Sequence, residues 1–373
     1  MDQESLQVGK PVTGKDFIGR EEEIRLMMQL LAQGQSIVLI APRRYGKTSL
    51  VNEVLRRLEN KGFYTVYVDI FSNPTMEGLA SDITKQVLAN KRLDKAFSNF
   101  VKSVKDVAKN IQFRTELHDF EFMLGFNERH RDENLLLDES IGFIELFSKK
   151  NNKRMVAAFD EFGDLKKYGS EKTVKLFRSR IQTHKNASYI FSGSYESVMN
   201  ELFVTPRSPF YRFARIIQLR GISKEIFAQH ISEKLNSNKQ KITNDALNEV
   251  YDFTNGHPYY TQLMLQQMVL FYQKSKEIGK HEIGAIKNDL LTIEINYIEK
   301  TWEELSKTKE SIPVLLALVE KREPVYAATA KHPGNTARAL RKLIHNGTLY
   351  KDGSTYRFND PLLLLWIEKN IIK

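Results

Sequence analysis

The stretch APRRYGKTS, Ala41 to Ser49, decides the fold, because it stands between the apolar run SIVLIA, Ser36 to Ala41, and a helical pattern that starts at Thr48. A strand, a Gly-Lys turn and a helix in this order are what a phosphate-binding loop requires. The backbone N–H groups of such a loop and the N-terminus of its helix bind phosphate oxygens. Lys47 adds a point charge at the β and γ phosphates, and the Thr48 hydroxyl ligates Mg²⁺. The stretch therefore predicts a nucleoside triphosphate site.

The loop departs from the GxxxxGK[ST] pattern at one position, where Ala41 replaces the first glycine and adds a methyl group at the end of the strand. A chance Gly-Lys-Thr could also cap a helix and leave its lysine exposed. The strand before it, the helix after it and an acidic strand end elsewhere in the chain favour the phosphate site. The loop residues expected to contact nucleotide are Pro42, Arg43, Arg44, Tyr45, Gly46, Lys47, Thr48 and Ser49.

A second motif, MVAAFDEF from Met155 to Phe162, ends an apolar strand on two adjacent carboxylates. Ligands of open α/β sheets bind at the carboxyl ends of the strands, so Asp160 and Glu161 are expected opposite the phosphates. Asp160 would hold Mg²⁺ through water together with Thr48, and Glu161 would polarise the attacking water. The pair could instead begin a solvated loop, but the phosphate loop in the same chain favours a catalytic pair. Lys47 and Glu161 are therefore the catalytic candidates from these motifs.

The sequence also bears on which base is bound. A GTPase usually carries an NKxD loop, and the nearest candidate, Asn90 to Leu93, lacks the aspartate. ATP is therefore the expected nucleotide.

Apolar runs of strand type recur along the first part of the chain. They span residues 36–41, 64–71, 155–159, 188–194 and 215–219. Because the first two flank a helix in a βαβ unit, the runs predict a parallel sheet covered on both faces. The expected fold class is α/β, a P-loop NTPase with a five-stranded parallel sheet at residues 17–220 after a loose leader at residues 1–16.

A long stretch of mainly helical pattern interrupts the strands at about residues 75–147. Its apolar residues recur on one side and its lysines fall mainly elsewhere; the apolar set is Ile83, Val87, Phe97, Val101, Val104 and Ile111. An amphipathic helical insertion with a solvated basic face explains this pattern better than a stripe dedicated to nucleic acid.

After Gly221 the periodicity is helical to about residue 305, with one interruption at NGHP, Asn255 to Pro258. This pattern predicts an all-α lid at residues 221–305. Residues 306–373 follow as a winged-helix domain, whose wing would be the hairpin LYKDGSTYRF with Asp352-Gly353 at its turn.

The segment NTARALRKLIHNG, residues 335–347, is typical of a recognition helix. Its apolar face of Leu340, Leu343 and Ile344 leaves basic residues on other faces, which could enter a major groove. The residues expected to contact DNA are Arg338, Arg341, Lys342, His345 and, in the wing, Lys351. Winged helices also dock proteins or inhibit their own chain, so double-stranded DNA and a protein partner both stay open.

Composition sets the outer limits on function. The formal net charge of +10 and a sequence pI near 9.3 favour acidic partners such as nucleic acid. The chain has no cysteine, which excludes disulfides, thiolate zinc sites and cysteine nucleophiles. The eight histidines show no HExxH spacing, so the expected metal is only the Mg²⁺ that accompanies nucleotide. A polar N-terminus and the lack of a long apolar run predict no secretory signal and no membrane span, and the cytoplasm is the expected location.

Taken together, the motifs resemble the archaeal-type ATPase family. They cover most of the chain and are FIGREEE, APRRYGKTSL, MVAAFDEF, IFSGS, SPFYR, NGHPYY and FNDPLLLLWI. The family belongs to the AAA-like branch of P-loop proteins known as signal-transducing ATPases with numerous domains, and it is related to origin-recognition initiators. The resemblance implies a sensor strand between the strands of the P-loop and Asp160, then a helical lid and a winged helix.

The same resemblance implies roles for residues outside the two phosphate-site motifs. Ile18, Gly19 and Arg20 of FIGRE would border the adenine, chiefly through the backbone near Ile18 and Gly19. Ser192 or Ser194, at the end of the sensor strand, would lie where the γ phosphate is sensed.

Two further motifs gain a role from the resemblance. His257 and Pro258 would begin a lid helix that packs on the nucleotide, although Asn-Gly followed by Pro also ends one helix and opens the next in ordinary proteins. Arg212 of SPFYR would be an arginine finger that reaches a phosphate in the same or a neighbouring subunit. Arg207 and Arg215 lie nearby and are alternatives.

The sequence thus predicts an ATP-dependent molecular switch in which nucleotide state repositions the lid and the winged helix. Turnover of ATP to ADP and phosphate is expected to be slow until subunits or a partner assemble. The alternatives are an adaptor or defence scaffold that keeps its nucleotide, and a ring-forming loader for transposition or replication that assembles as a homo-oligomer.

Overall fold

The structure is a computed structural model of the chain, and it describes residues 8–14, 17–90, 111–113, 122–124, 132–169, 171–194, 196–272, 276–321 and 333–372. In chain order the strands are β1 (Ile37–Ile40), β2 (Tyr64–Asp69), β3 (Ile111–Phe113), β4 (Phe122–Leu124), β5 (Met155–Asp160), β6 (Ala187–Gly193), β7 (Arg215–Gln218), β8 (Lys241–Ile242), β9 (Glu277–Ile278), β10 (Leu349–Asp352) and β11 (Thr355–Phe358). The helices of the first part are α1 (Glu21–Ala32), α2 (Lys47–Asn60), α3 (Met76–Ala89), α4 (Glu133–Lys150), α5 (Glu171–Ile181) and α6 (Glu196–Phe203). Those of the second part are α7 (Lys224–Ser237), α8 (Asn244–Thr254), α9 (Pro258–Phe271), α10 (Lys280–Ile293), α11 (Ile295–Ser306), α12 (Ser311–Val319), α13 (Pro333–His345) and α14 (Pro361–Asn370).

The central sheet has five strands in the order β2, β5, β6, β1, β7, and each neighbouring pair is parallel. This confirms the predicted five-stranded parallel sheet. It also places β6 between the P-loop strand β1 and the acidic strand β5, as the family resemblance implies. Ile40 pairs with Gly193 and Asp69 pairs with Asp160, so the carboxyl ends of these four strands meet at one edge. This edge holds the motifs singled out in the sequence.

Helices cover both faces of the sheet, because alternate strand residues are buried on opposite sides. Val38 and Ile40 of β1 join a core formed with α3, α4 and α5. Ile37 and Leu39 of the same strand join a second core formed with α1 and α2. Burial on both faces explains why these strands are continuous apolar runs without polar alternation.

The insertion differs from the helical prediction. Helices α3 and α4 stand at its two ends, but β3 and β4 pair as antiparallel strands between them. The prediction of helix through Ile111 was therefore wrong; β-branched and aromatic residues such as those of Ile111–Phe113 favour strands. Phe97, Val101 and Val104 lie outside the described residues.

The second part of the chain is helical, with one addition that the periodicity did not predict. Strands β8 and β9 form a short parallel pair within the region expected to be all-α. Strands β10 and β11 form the expected antiparallel hairpin, in which Asp352 pairs with Thr355. Its loop is Gly353-Ser354, one residue beyond the predicted turn, and Gly353 takes the left-handed φ of 62° that favours glycine there. The predicted short helix between α12 and α13 lies outside the described residues.

One buried apolar cluster runs through this second part. It includes Met264 of α9, Leu290 of α10, Leu343 of α13 and Trp366 of α14. The predicted boundary between residues 305 and 306 therefore does not separate two cores. Across the described ranges, none of the helices combines the length and apolarity needed to cross a bilayer.

Candidate functional site

The phosphate loop turns where β1 ends and α2 begins. Gly46 has a φ of 79°, a conformation that a residue with a Cβ adopts only at a cost. Because the first N–H groups of a helix have no partner inside the helix, the N-terminus of α2 can receive an anion. Ala41 is fully buried in the core beneath α2, so its methyl group fills apolar space. The departure from the usual first glycine thus leaves the loop intact.

Lys47 lies inside the loop and is only 5% exposed. Its Nζ donates hydrogen bonds of 2.9 Å to the carbonyl oxygens of Ala41 and Pro42. Burial lowers the pKa of Lys47 to about 8, although the charges of Glu161 and Asp160 oppose this shift. The ammonium group is therefore held by backbone dipoles in a position from which it can turn to a phosphate.

Asp160 is the most heavily bonded side chain of the site, and it is 4% exposed. Its Oδ2 accepts hydrogen bonds from Thr48 Oγ1 at 2.7 Å and from the Tyr67 hydroxyl at 2.9 Å. Its Oδ1 accepts from Ser192 Oγ at 2.6 Å and from the Glu161 N–H at 3.0 Å. Four donors to one buried carboxylate fix its orientation. The adjacent oxygens of Thr48 and Asp160 are the hard ligands that Mg²⁺ prefers.

Glu161 follows in a left-handed conformation with a φ of 48°. The Ser194 N–H donates to its Oε2 at 3.0 Å, and Ser194 Oγ donates to its Oε1. Both carboxylate oxygens of the predicted base are thus held by one residue at the end of β6. Ser192 instead bonds Asp160, so the two serines that the resemblance offered have different partners.

A cavity of about 380 Å³ lies above the loop, within the size range of ligand sites. Among the predicted nucleotide contacts, those that line it are Ile18, Arg20, Arg44, Tyr45, Gly46, Lys47, Thr48, Ser49, Ser194 and Pro258. Those that do not line it are Gly19, Pro42, Arg43, Ser192 and His257. Pro42 takes part through its carbonyl oxygen, which accepts from Lys47, and Gly19 packs against the start of α7 beside Ile222.

Residues of the expected loose leader also form part of the cavity wall. Val8 to Val12 line it. Two hydrogen bonds from backbone N–H groups of this segment to side chains of α2 hold it in place. The Val12 N–H donates to Ser49 Oγ at 3.1 Å, and the Gly14 N–H donates to Glu53 Oε2 at 3.0 Å. The polar composition of this segment, with its glycines and proline, predicted a loose chain. The side chains that accept its hydrogen bonds, Ser49 and Glu53, lie far along the sequence, so the segment's own residues do not reveal them.

His257 begins α9 as the sequence predicts, with Asn255 and Gly256 in left-handed conformations before it and Pro258 at the first helical position. Its ring, however, is buried and packs on Tyr45 at 4.5 Å and on Tyr260 at 4.8 Å between centroids. Burial, with a smaller contribution from the charge of Arg44, lowers the pKa of His257 to about 3. His257 therefore packs as a neutral ring behind the loop, and its predicted contact with nucleotide stays a prediction.

The phosphate loop also contacts the second part of the chain directly. The Arg44 guanidinium lies 4.3 Å from the centre of the Tyr259 ring, and the Tyr45 ring lies 6.4 Å from that of Tyr350 in β10. The Tyr350 hydroxyl hydrogen-bonds with Tyr45 and accepts from Asn255 Nδ2 at 2.6 Å. Two loop residues thus join α9 and the C-terminal hairpin.

The predicted arginine finger is not part of this site. Arg212 is exposed, has a φ of 55°, and its guanidinium lies 5.2 Å from the centre of the Tyr211 ring. It does not line the cavity of its own chain, and Arg207 and Arg215 are exposed as well.

The predicted recognition helix corresponds to α13. Its residues Leu340 and Leu343 are buried, and its basic residues are exposed. The exposed set is Arg338, Arg341, Lys342 and His345, together with Lys351 in β10. Lys342 Nζ donates to Thr308 Oγ1 at 2.7 Å, so one of these cations already has a partner within the chain.

Sequence reasoning missed Tyr67 and did not decide between Ser192 and Ser194. Tyr67 stands two residues before Asp69, which pairs with Asp160, so the register of β2 and β5 alone brings its hydroxyl to the carboxylate. The alternation of YTVYVD predicts a strand but does not show which strand lies beside it. Only the strand order reveals the contact.

Known proteins resemble the chain in sequence pattern and fold. A family model described as an ATPase domain predominantly from Archaea matches residues 17–264. The Walker-type ATPase of Pyrococcus abyssi superposes with a TM-score of 0.69 at 17% identity, covering 97% of this chain and 99% of that chain. The ORC2 protein of Aeropyrum pernix, in ADPNP and ADP complexes, superposes with a TM-score of 0.52 at 11% identity, covering 96% of each chain. At these identities the two structures show a common fold. No curated protein matches the chain.

Proposed function

We propose, from the premise that this chain belongs to the family of ATPase domains found predominantly in Archaea, that it is an ATP-driven switch whose nucleotide state repositions its C-terminal part. The observation that carries the proposal is the direct contact of Arg44 and Tyr45 with α9 and β10. A phosphate that enters the loop changes the surroundings of these two residues. Their partners in the second part of the chain then experience the change.

The residues of the loop fit a magnesium nucleotide. The N-terminus of α2 and Lys47 would bind the phosphates, and Thr48 with Asp160 would hold Mg²⁺, directly and through water respectively. Bound ATP supplies a phosphoryl group for transfer to water, and Mg²⁺ neutralises charge on it. Lys47 would leave the carbonyl oxygens of Ala41 and Pro42, which it contacts at 2.9 Å, to reach this ligand. The loop therefore changes its internal hydrogen bonds on binding.

Hydrolysis would depend on Glu161. A carboxylate next to the phosphates can accept a proton from the attacking water. Its two oxygens accept hydrogen bonds from Ser194 in the structure, so one of them has to be released before it can act as a base. Slow turnover without a partner is the expected result.

Turnover measurements on four variants test the enzyme. Lys47→Ala should abolish nucleotide retention, and Glu161→Gln should retain ATP but lose turnover by about a hundredfold or more. Lys85→Ala and Glu59→Gln change exposed residues of the same types and should behave as the wild type. If the wild type and both site variants hydrolysed ATP at the same background rate, the proposal that the chain is an ATP hydrolase would be rejected.

The exposed cations of α13 support double-stranded DNA as the partner of the C-terminal part. Arg341→Ala with Lys342→Ala should weaken DNA binding at low salt and flatten its salt dependence, because fewer counterions are released. Unchanged affinity would leave this helix as a protein-docking element.

A separate variant tests the coupling between the nucleotide site and DNA binding. Tyr350→Phe should reduce the difference in DNA affinity between the nucleotide-free protein and the protein loaded with a non-hydrolysable ATP analogue.

The bonds between Ser194 and Glu161 also favour a second candidate, an adaptor that keeps its nucleotide without turning it over. Ser194→Ala separates the two. A faster rate of ATP hydrolysis means that the serine restrains a working base, whereas a rate that stays at background in every variant and with DNA supports the adaptor.

A ring-forming loader predicts ATP-dependent oligomers, which size-exclusion chromatography with the non-hydrolysable ATP analogue detects.

A further inference from the structure

The N-terminal segment, residues 8–14, supplies part of the wall of the cavity above the phosphate loop. Other parts of the wall come from α7 and α9, through His230, Pro258 and Gln262. We propose that residues 8–14 are a strap that has to move aside before a nucleotide can enter or leave, so that the strap sets the rate of nucleotide exchange. This inference rests on the proposed nucleotide site.

The strap is fastened beside the residues that would hold the phosphates. The Val12 N–H donates to Ser49 Oγ at 3.1 Å, and Ser49 directly follows Thr48 in the first turn of α2. The Gly14 N–H donates to Glu53 Oε2 at 3.0 Å. Because Ser49 and Glu53 are four residues apart in a helix, they lie on the same face of α2. The strap therefore runs along α2 and passes the cavity close to its phosphate end.

The strap is the part of the wall that moves most easily. Val8 and Val12 are half-buried, the other residues of the strap are exposed, and none of them belongs to a buried apolar cluster. In contrast, Leu235 of α7 and Met264 of α9 are fully buried in the cluster of the second part. Moving either helix exposes apolar surface, whereas moving the strap breaks mainly its two hydrogen bonds to α2. Segments with few buried apolar contacts open at the lowest cost in free energy.

A strap of this kind has a kinetic signature that an ordinary ligand contact lacks. If nucleotide passes only while the strap is open, the open fraction multiplies the rate constants of association and dissociation alike. Loss of one of its hydrogen bonds should raise the open fraction about fivefold. Both rate constants then rise together, and Kd changes little. Loss of an ordinary contact raises mainly the dissociation rate constant and weakens the affinity.

Stopped-flow fluorescence with the N-methylanthraniloyl derivative of ADP and Mg²⁺ measures both rate constants. Val12→Pro removes the N–H donor to Ser49, and Ser49→Ala removes the acceptor of the same bond. Each variant should raise both rate constants about fivefold and keep Kd within about twofold of the wild type. The double variant should be no faster than either single variant, because both changes break one bond. Thr13→Pro is the matched control, a proline at an exposed strap residue that does not line the cavity, and should exchange nucleotide at the rate of the wild type.

Several results would overturn the strap. Unchanged rate constants in Val12→Pro and Ser49→Ala would do so, and so would a faster dissociation alone with a matching loss of affinity, which is the behaviour of a residue that only contacts the ligand. Equal acceleration in Thr13→Pro and Val12→Pro would refute the role of the bond to Ser49. A wild type that does not bind the ADP derivative would refute the proposed nucleotide site as well, whereas binding with unchanged rate constants in the variants refutes the strap alone.

Discussion

Replacing Gly256 by alanine should damage the packing of the turn before α9 against the segment between β7 and α7 far more than an equivalent change elsewhere. Gly256 has a φ of 70°, and its carbonyl oxygen accepts from the Ile222 N–H at 2.9 Å. A Cβ here would collide with the Ile222 carbonyl oxygen and would lie 3.1 Å from the Ile222 nitrogen. Both obstacles are backbone atoms, so no side-chain rotation relieves them.

The expected cost has two parts. An alanine in a left-handed conformation costs about 1–2 kcal/mol. The collision separates the two segments and breaks their hydrogen bond, which adds about 1 kcal/mol, and displacement of the neighbouring His257 ring from Tyr45 adds a similar amount. Gly256→Ala should therefore lower the free energy of unfolding by about 3–4 kcal/mol.

Gly347 provides the matched control. Its φ is 77°, and a Cβ there would meet nothing within 4 Å. Gly347→Ala should lose only the conformational part, about 1–2 kcal/mol. Urea denaturation monitored by circular dichroism, together with binding of the ATP analogue, measures both variants. Equal losses of stability, or an unchanged nucleotide affinity in Gly256→Ala, would refute the idea that this turn presses the lid onto the phosphate loop.

Three further outcomes follow from the structure. Arg56, the Gly14 N–H and Arg57 lower the pKa of the buried Glu53 to about 2, against 4.5 as its ordinary value. The stability from this carboxylate is present above about pH 4.5 and lost as the pH falls toward 2. The wild type should thus lose about 1–2 kcal/mol more than Glu53→Gln between pH 7 and pH 3 in urea denaturation. Tyr67→Phe, which removes one hydrogen-bond donor to Asp160, the proposed Mg²⁺ ligand, should raise the Mg²⁺ concentration for half-maximal turnover about tenfold in a magnesium titration. Arg212→Ala should slow turnover of assembled subunits by about a thousandfold and leave dilute protein unchanged in assays at varied protein concentration; the same rate loss at every concentration would contradict a role in trans.

Much of the sheet could be predicted because its central strands β1, β5 and β6 are buried on both faces. Residues 155–159 form a run without a polar residue, and the Gly-Lys turn shows which strand carries the loop. Lys47, Thr48 and Asp160 come together because the ends of parallel strands share an edge. Chemistry and spacing are local in the sequence at each of these motifs, so local reasoning was sufficient.

The rest of the site depends on contacts that no local pattern encodes. Tyr67 reaches Asp160 through strand register, and Val12 reaches Ser49 through the path of the N-terminal segment. His257 was expected to face nucleotide, but the aromatic rings around it bury its imidazole instead. In each case at least one partner lies far along the chain. Side-chain type does not reveal such a partner.

The buried cluster of the second part determines how far a change at the loop can travel. Met264 of α9 shares one apolar core with Leu343 of α13 and Trp366 of α14. Sliding α9 against the C-terminal helices would open this core and expose apolar surface at about 25 cal/mol for each Å². Under the proposed switch, a displacement of α9 beside Tyr45 should therefore move the hairpin with it as a rigid body. Within the described part of the chain no hairpin residue lines the cavity, yet Tyr350 should still influence nucleotide affinity through its contact with Tyr45, which does line the cavity.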